Sequence, residues 1–179
     1  LDGRSLASFK PKEFARTVGL LPQSSIAPEG ITVVDLVSRG RFPYQKLVRQ
    51  WTDADEAAVR DAMTATNVAE LATREVAELS GGQRQRVWAA MAIAQQTPIL
   101  LQDEPTTYLD LTHQIEMLDL FARLHRAGTT IVAVLHDLNQ AARYATHLIV
   151  LKAGEVIATG APSEVLTEHL VREVFDLNC

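Results

Sequence analysis

Acidic, amide and imidazole side chains stand at the ends of three apolar segments in this 179-residue sequence. Asp103 and Glu104 follow ILLQ, Gln23 closes VGLLPQ, and His136 closes TTIVAVLH. One carboxylate at a strand end can hold a hydrated Mg²⁺, and the next can orient or deprotonate a water molecule. Gln23 can add an oxygen ligand to Mg²⁺, and His136 can donate to a phosphoryl oxygen. Each residue also has a purely structural explanation: Gln23 as a loop residue, His136 as a helix-capping or core histidine, and the two acids as a solvated turn. Their joint placement at strand ends nevertheless favours one common site.

A glycine-rich loop, LSGGQ, lies between the first two of these positions and precedes a helix. Ser80 supplies a hydroxyl group, while Gly81 and Gly82 let backbone N–H groups approach an anion without obstruction by a Cβ atom. The positive end of the following helix points at the same anion. Ser-Gly-Gly alone is often only a turn. Followed by Gln83 and an acid pair some twenty residues later, it is far more specific.

The segments after Pro98 alternate between strand and helix patterns. ILLQD and TTIVAVLH read as strands, and the helix between them stops at Gly128. A further helix, DLNQAARYA, is followed by a hairpin that turns at Ala153 and Gly154. This order is typical of a mostly parallel α/β sheet.

The part of the chain before Pro98 has a different character. Residues Leu1–Leu6 are expected to form a strand and a turn, followed by a short helix and a short strand. From Ser24 to about Gln96 the pattern is mostly helical. Thr52 is expected to cap one helix, and a second helix is expected to run from about Gly82.

Composition sets limits on the function. The chain is 47% hydrophobic and 22% charged, with a net charge of -5 and a pI of about 5.5. This acidic balance disfavours a nucleic-acid binder. The single cysteine, Cys179, allows no intrachain disulfide and fits a reducing compartment. No apolar run is long enough to span a bilayer, so a membrane role would come through a partner.

The sequence resembles the ATP-binding subunits of ABC transporters over nearly the whole chain. LSGGQRQR matches the signature motif of that family, ILLQDEP its Walker B motif and TYLD its D-loop. The glutamine of LLPQ matches the Q-loop, and the histidine of VLHD matches the switch histidine.

The resemblance implies an α/β fold of the P-loop NTPase (RecA-like) type, with a mostly parallel sheet and an inserted α-helical subdomain. By analogy, residues 1–23 are part of the ATPase core and residues 24–97 form the helical subdomain with the signature motif. Residues 98–179 then return to the ATPase core with the Walker B motif, D-loop and switch histidine.

The family's functional residues map onto single positions of this sequence. The resemblance implies ATP hydrolysis with Mg²⁺, with Glu104 as general base, His136 on the γ-phosphate, and Asp103 and Gln23 serving the metal. Asp110 would make a dimer contact. In a head-to-tail pair of subunits, the ATP held by one subunit would be capped by the other subunit's signature loop, which comprises Ser80, Gly81, Gly82 and Gln83.

Two departures from the family pattern stand out. The P-loop, G-x-x-x-x-G-K-[ST], is absent, because none of the nine glycines precedes a lysine. We therefore expect a fragment that lacks the N-terminal strands and the P-loop and is inactive alone, although it could serve an intact copy. Gln102 occupies a strand position that is normally apolar in the family, and its amide needs partners if it is buried.

The segment SRGRFPYQ resembles an element of importers for ferric siderophores, haem and cobalamin. The expected function is ferric siderophore import, with polytopic membrane permease subunits as partners and, indirectly, a substrate-binding protein. The expected location is the cytoplasmic face of a bacterial inner membrane. No nucleic-acid partner is expected. In the alternative reading, Arg39, Arg41 and Lys46 form only a solvated surface.

A soluble ABC-type ATPase acting on DNA or ribosomes is the alternative function. Such proteins carry long coiled-coil insertions or two ATPase copies in one chain. Neither feature occurs in these 179 residues, and the acidic pI also disfavours this reading.

Overall fold

The computed structural model describes residues 1, 3–21, 26–45, 51–107 and 109–176. The chain divides into two compact units, Leu1–Val134 and Leu135–Cys179. The boundaries inferred by analogy, at 23/24 and 97/98, stay a prediction, and Gln23 lies outside the described residues.

The described residues of the first unit contain five α-helices and three strands, joined by short 3₁₀ turns. The helices are α1 (Pro11–Thr17), α2 (Val33–Ser38), α3 (Asp53–Ala65), α4 (Gly81–Ala94) and α5 (Leu111–Arg126). The strands are β1 (Val18–Leu21), β2 (Ile99–Asp103) and β3 (Thr130–Val134). Within the described ranges, no helix is long and apolar enough to cross a membrane.

The three strands form a parallel sheet in the order β1-β2-β3. In its register, Leu20 is opposite Leu101, which is opposite Val132. The prediction of a mostly parallel sheet is therefore confirmed. Parallel strands point the same way, so the acid pair at the end of β2 lies at the carboxyl edge of the sheet, where ligands of open α/β sheets bind.

The two faces of this sheet differ in burial. One face buries Leu21, Leu100 and Gln102, whereas Leu20 and Val132 on the other face are about half exposed. The alternation follows from the two-residue period of a strand, which sends successive side chains to opposite faces.

The helical region between β1 and β2 has a core of its own. Helices α2, α3 and α4 contact one another and enclose a cluster of buried apolar side chains. These are Val33, Leu36, Val37, Val59, Ala62, Met63, Val68, Leu71, Val76, Leu79, Val87, Ala90 and Ala94.

Both predicted helices of this region form. Thr52 caps α3 in a capping box: its Oγ1 accepts from Asp55 N at 3.2 Å, and Asp55 Oδ2 accepts from Thr52 N at 3.1 Å. Helix α4 begins at Gly81, one residue before the predicted start, and ends at Ala94.

The predicted strand at Leu1–Leu6 is wrong. Gly3 has φ +75°, and Arg4 N donates to Leu1 O at 2.9 Å, so the turn is present. The chain then enters a 3₁₀ turn at Leu6–Ser8 instead of pairing with a described strand. Local contacts favour this outcome, because the Arg4 guanidinium stacks 4.0 Å from the centre of the Phe9 ring.

In the second unit, the described elements are a hairpin and three helices. The strands β4 (Leu148–Lys152) and β5 (Glu155–Gly160) are antiparallel, and the helices are α6 (Leu138–Tyr144), α7 (Pro162–Val165) and α8 (Glu168–Phe175). Ala153 and Gly154 turn the hairpin with φ +53° and +85°, as a two-residue turn of this kind requires. The predicted hairpin is confirmed.

Candidate functional site

The signature loop is held by a capping box at the start of α4. Ser80 Oγ accepts from Gln83 N at 3.2 Å, and Gln83 Oε1 accepts from Ser80 N at 3.0 Å. Gly81 and Gly82 are the first two helical residues, and such residues have N–H groups without an acceptor inside the helix. A hydroxyl that accepts one hydrogen bond can still donate another. The loop thus presents donors at the positive end of a 14-residue helix.

This loop forms one wall of a cleft of about 730 Å³. The lining residues are Ser80, Gly81, Gly82, Gln83, Arg86, Asp110 and His113. The structure therefore brings the predicted signature residues together with the predicted D-loop residue. Arg86 and His113 were missed by the sequence reasoning. Each lies three positions after a predicted residue, Gln83 or Asp110, and one helical turn would have placed it on the same face.

Asp110 caps α5 and contacts His113. Its Oδ1 accepts from His113 N at 3.0 Å, and His113 Nδ1 lies 2.9 Å from both carboxylate oxygens. The hydrogen bond from the His113 backbone, followed by that from its side chain, holds the pKa of Asp110 below its ordinary value. Asp110 therefore stays charged and orients His113 at the cleft.

The acid pair spans the end of β2 and the turn after it, because Asp103 is the last residue of the strand and Glu104 begins a strained turn. Asp103 is exposed, and Glu104 is half-buried with φ +49°, an unusual backbone conformation for a residue with a Cβ atom. Such strain costs of order 1–3 kcal/mol and clusters at functional sites. Thr107 Oγ1 donates to Glu104 Oε2 at 3.0 Å, and Thr107 N donates to Glu104 O at 3.2 Å. These bonds fix the direction of the Glu104 carboxylate.

Helix α4 also contacts the turn that carries Glu104. The buried side chain of Gln85 donates through Nε2 to the carbonyl oxygen of Pro105 at 3.5 Å. Gln85 lies within the last four residues of LSGGQRQR, and the sequence predicted no contact for it. The hydrogen bond joins the helix of the signature loop to the residue after Glu104.

Residues 1–107, more than half of the chain, match the family model described as ABC transporter. The chain belongs to the ABC transporter family.

Similar proteins include iron transport ATPases. The chain is 52% identical over 180 residues to the ferric enterobactin transport ATP-binding protein FepC of Escherichia coli (strain K12). It is 48% identical over 179 residues to the iron(3+)-hydroxamate import ATP-binding protein FhuC of Bacillus subtilis (strain 168). The alignments cover 100% and 99% of this chain and 66% of each relative, so the chain spans slightly less than two thirds of their length.

A solved ATP-binding cassette shares the fold. It is a dimeric, post-hydrolysis state bound to ADP and phosphate, with a TM-score of 0.76 and 26% identity. The match covers 90% of this chain and 72% of that one. The α/β fold of an ABC ATPase, inferred from the sequence, is confirmed.

Gln102 places a polar amide at a buried position of strand β2, where the ABC family normally has an apolar side chain. It is 3% exposed, and neither its Nε2 nor its Oε1 has a hydrogen-bond partner among the described residues. A buried amide left in this state costs about 1–3 kcal/mol. The requirement noted from the sequence, that a buried Gln102 needs partners, is therefore not met.

His136, the predicted switch histidine, lies in the second unit and is exposed. It is neither a core histidine nor the cap of α6. Asp137 is the cap, with Oδ1 accepting from Asn139 N at 2.8 Å and Gln140 N at 2.9 Å. Both structural alternatives for His136 are thus wrong, and its role on the γ-phosphate stays a prediction.

The donor set for Mg²⁺ is small in the described part of this ABC subunit. Among these residues, no three His, Cys, Asp or Glu side chains cluster to hold a metal. Mg²⁺ is commonly held by one or two carboxylates together with substrate phosphates and water, and the exposed Asp103 fits that mode. Gln23, the other predicted ligand, lies outside the described residues.

Proposed function

We propose that this chain supplies the signature loop and the acid pair of an ATP hydrolysis site in an ABC transporter that imports a ferric siderophore. The observation that carries the proposal is the cleft at the start of α4. Ser80, Gly81, Gly82 and Arg86 line it together, and they carry backbone N–H groups, a hydroxyl and a guanidinium. These are donors suited to the oxygens of a phosphate.

Glu104 is the proposed general base. It accepts a proton from the water that attacks the γ-phosphate in line, and the Thr107 hydroxyl keeps its carboxylate oriented. Mg²⁺, when bound, would neutralise charge on the phosphate oxygens, and Asp103 and Gln23 would hold it. His136 donates to the γ-phosphate. These roles rest on the family resemblance and on the position of the acid pair at the carboxyl edge of the sheet.

The proposed active form is a head-to-tail dimer. The signature loop, comprising Ser80, Gly81, Gly82 and Gln83, caps ATP held on the P-loop of the second subunit, and Asp110 contacts that subunit. The dimeric state of the similar cassette with ADP and phosphate supports this arrangement. The P-loop sequence is absent from these 179 residues, so the chain alone is expected to be inactive.

The proposed partners are polytopic permease subunits and, through them, a substrate-binding protein, at the cytoplasmic face of the bacterial inner membrane. The names of the similar proteins support an iron(III) complex as cargo. The cargo is tested by uptake of radiolabelled ferric siderophore, with haem as the control, in a strain that depends on this protein. Uptake of haem without ferric siderophore would contradict the proposal.

The hydrolytic role is tested in a version extended to the length of the relatives. Glu104→Gln removes the base, and because such a group typically contributes about 10²–10⁴-fold, turnover should fall by that factor while ATP binding persists. Glu116→Gln, on the exposed side of α5, is the matched control. Normal turnover in Glu104→Gln would overturn the assignment.

A further inference from the structure

A 3₁₀ turn at Arg39–Tyr44, which we name the RGRFPY segment, lies directly on the C-terminal end of α4. A Cβ atom at Gly40 would come within 2.2 Å of the carbonyl oxygen of Met91, so only glycine fits there without a shift. Tyr44 Oη donates to Gln95 O at 2.9 Å. The segment therefore follows the position of the helix end closely.

The buried side chain of Arg41 links this segment to α3 and to the end of α4. It is 5% exposed, and its Nε donates to Asp55 Oδ1 at 2.8 Å. Its Nη1 donates to Ala94 O at 2.8 Å and to Gln96 Oε1 at 3.1 Å. Its guanidinium also lies 4.0 Å from the centre of the Tyr44 ring. The alternative of a solvated surface is therefore wrong for Arg41, while Arg39 is exposed and Lys46 lies outside the described residues.

The arrangement joins α3, the end of α4 and the RGRFPY segment through one buried cation. Burying an ion pair is expensive, and it does not by itself imply a more stable fold than an apolar replacement. The guanidinium of Arg41 does, however, hold the RGRFPY segment, α3 and the end of α4 in one relative position, because it donates to several acceptors at once. The segment held in this way presents Phe42 with 54% of its surface exposed.

The other end of α4 carries the signature loop. The helix has 14 residues, so its ends are about 21 Å apart at 1.5 Å per residue. Gln85 ties its first turns to Pro105, next to the proposed base. One rigid element thus connects the anion-binding cleft to the RGRFPY segment.

We propose that Arg41 and Asp55 are positioning residues that make the RGRFPY segment follow α4, so that nucleotide capture at Ser80 shifts the exposed Phe42 surface. This inference rests on the proposed function and deepens it, because it names the residues that connect the nucleotide site to the exposed Phe42 surface. Arg41 is not among the residues that line the cleft, so it would act through its contacts with α3 and α4.

Hydrogen exchange on the extended version, with and without Mg-ATP, tests the proposal. ATP is expected to slow exchange in the peptide that spans 80–86 and to change it in the peptide that spans 39–45. In Arg41→Gln, the response at 80–86 should persist and the response at 39–45 should be lost. Arg39→Gln, in the same turn but exposed, should retain both responses.

Tyr44→Phe, a mild change, keeps the test decisive if Arg41→Gln does not fold, and Gly40→Ala gives a second perturbation. Tyr44→Phe keeps the ring beneath Arg41 and removes the hydroxyl bonds to Gln95 O and Gln96 O, and Gly40→Ala forces the segment off Met91 while keeping the Arg41 side chain. Both should reduce the response at 39–45. In the reconstituted transporter, both should also lower the amount of substrate moved per ATP hydrolysed.

The outcomes separate the two proposals. An absence of ATP protection at 80–86 in the unmodified protein overturns the proposed function, and this inference with it. Protection at 80–86 without any response at 39–45 overturns only this inference. So does a response at 39–45 that survives unchanged in Tyr44→Phe and Gly40→Ala.

Discussion

The helical region and the parallel sheet of the first unit bury their side chains in opposite ways. In the helical region, α2, α3 and α4 close around a core in which Leu36 is 1% exposed. In the sheet, Leu20 on one face is 55% exposed, although the opposite face is buried. The helical region is therefore stabilised by its own contacts. The sheet places the acid pair but draws its stability from one face only.

Buried polar atoms without a hydrogen-bond partner occur in both regions. The helical region buries Arg41 against Asp55 and Ala94 O, but Arg86 Nε and Trp88 Nε1 on α4 have no hydrogen-bond partner among the described residues. The sheet buries Gln102 with no partner for its amide among the described residues. Helix α4, which carries the signature loop, belongs to the enclosed helical core. The acid pair lies at the end of β2, in a sheet that is buried on one face only.

The largest expected effect compares one residue type in the two regions. Leu36→Ala opens a cavity in the helical core and should lower the free energy of unfolding by about 2–5 kcal/mol. Leu20→Ala, on the exposed sheet face, should lower it by less than about 1 kcal/mol. Urea unfolding of the 179-residue chain measures both. Equal losses would mean that the two regions do not differ in the way described.

Gln102→Leu gives the next largest effect, with the opposite sign. Replacing the unpartnered amide by an apolar side chain removes a desolvation cost, so the free energy of unfolding should rise by about 1–3 kcal/mol. Gln114→Leu is the control, because Gln114 Nε2 donates to Leu109 O at 3.0 Å and the substitution removes that bond. A destabilised Gln102→Leu would show that the amide has partners.

The buried carboxylate predicts an acid dependence specific to the helical region. Burial raises the pKa of Asp55, but hydrogen bonds from Thr52 and Arg41 and the Arg41 charge outweigh it, and the folded pKa is lowered. The carboxylate thus stabilises the fold above its unfolded pKa of about 3.9, and this is lost as pH falls through the lower folded pKa.

Urea unfolding across that acidic window checks the dependence. Asp55→Asn should remove this part of the acid sensitivity, whereas Asp61→Asn, an exposed carboxylate paired with Arg60, should leave it intact. An unchanged acid profile in Asp55→Asn would contradict the assignment.

The smallest effect on stability is expected at Val132, on the exposed face of the sheet. Val132→Thr should change the free energy of unfolding by no more than about 0.5 kcal/mol. It should nevertheless reduce self-association, because exposed apolar strand surface promotes contact between copies. Light scattering at rising protein concentration measures self-association. Unchanged self-association would mean that the exposed face of the sheet does not mediate contact between copies.

Local chemistry made much of the molecule predictable. Thr52 caps the helix that follows and Ala153 with Gly154 forms the hairpin turn, both as predicted. Ser80 and Asp110 also cap their helices, a role that was not predicted for them from the sequence. These signals act within a few residues, so they can be read directly from the sequence.

The features that escaped prediction depend on distant or missing partners. Arg41 meets Asp55 fourteen residues away and Ala94 fifty-three residues away, which no local pattern specifies. The segment Leu1–Leu6 was predicted as a strand, but it has no neighbouring strand to pair with among the described residues. The cleft residues Arg86 and His113 required the helix faces to be known.

The most direct test of the central claim, that the start of α4 binds phosphate, exchanges its cap in the extended version. Ser80→Asp and Ser80→Asn both preserve a good helix cap, but only aspartate adds a negative charge to the cleft. The account predicts that Ser80→Asp lowers ATP-dependent dimerisation by about tenfold or more, while Ser80→Asn stays near the unmodified protein. Equal dimerisation of the two variants would contradict it.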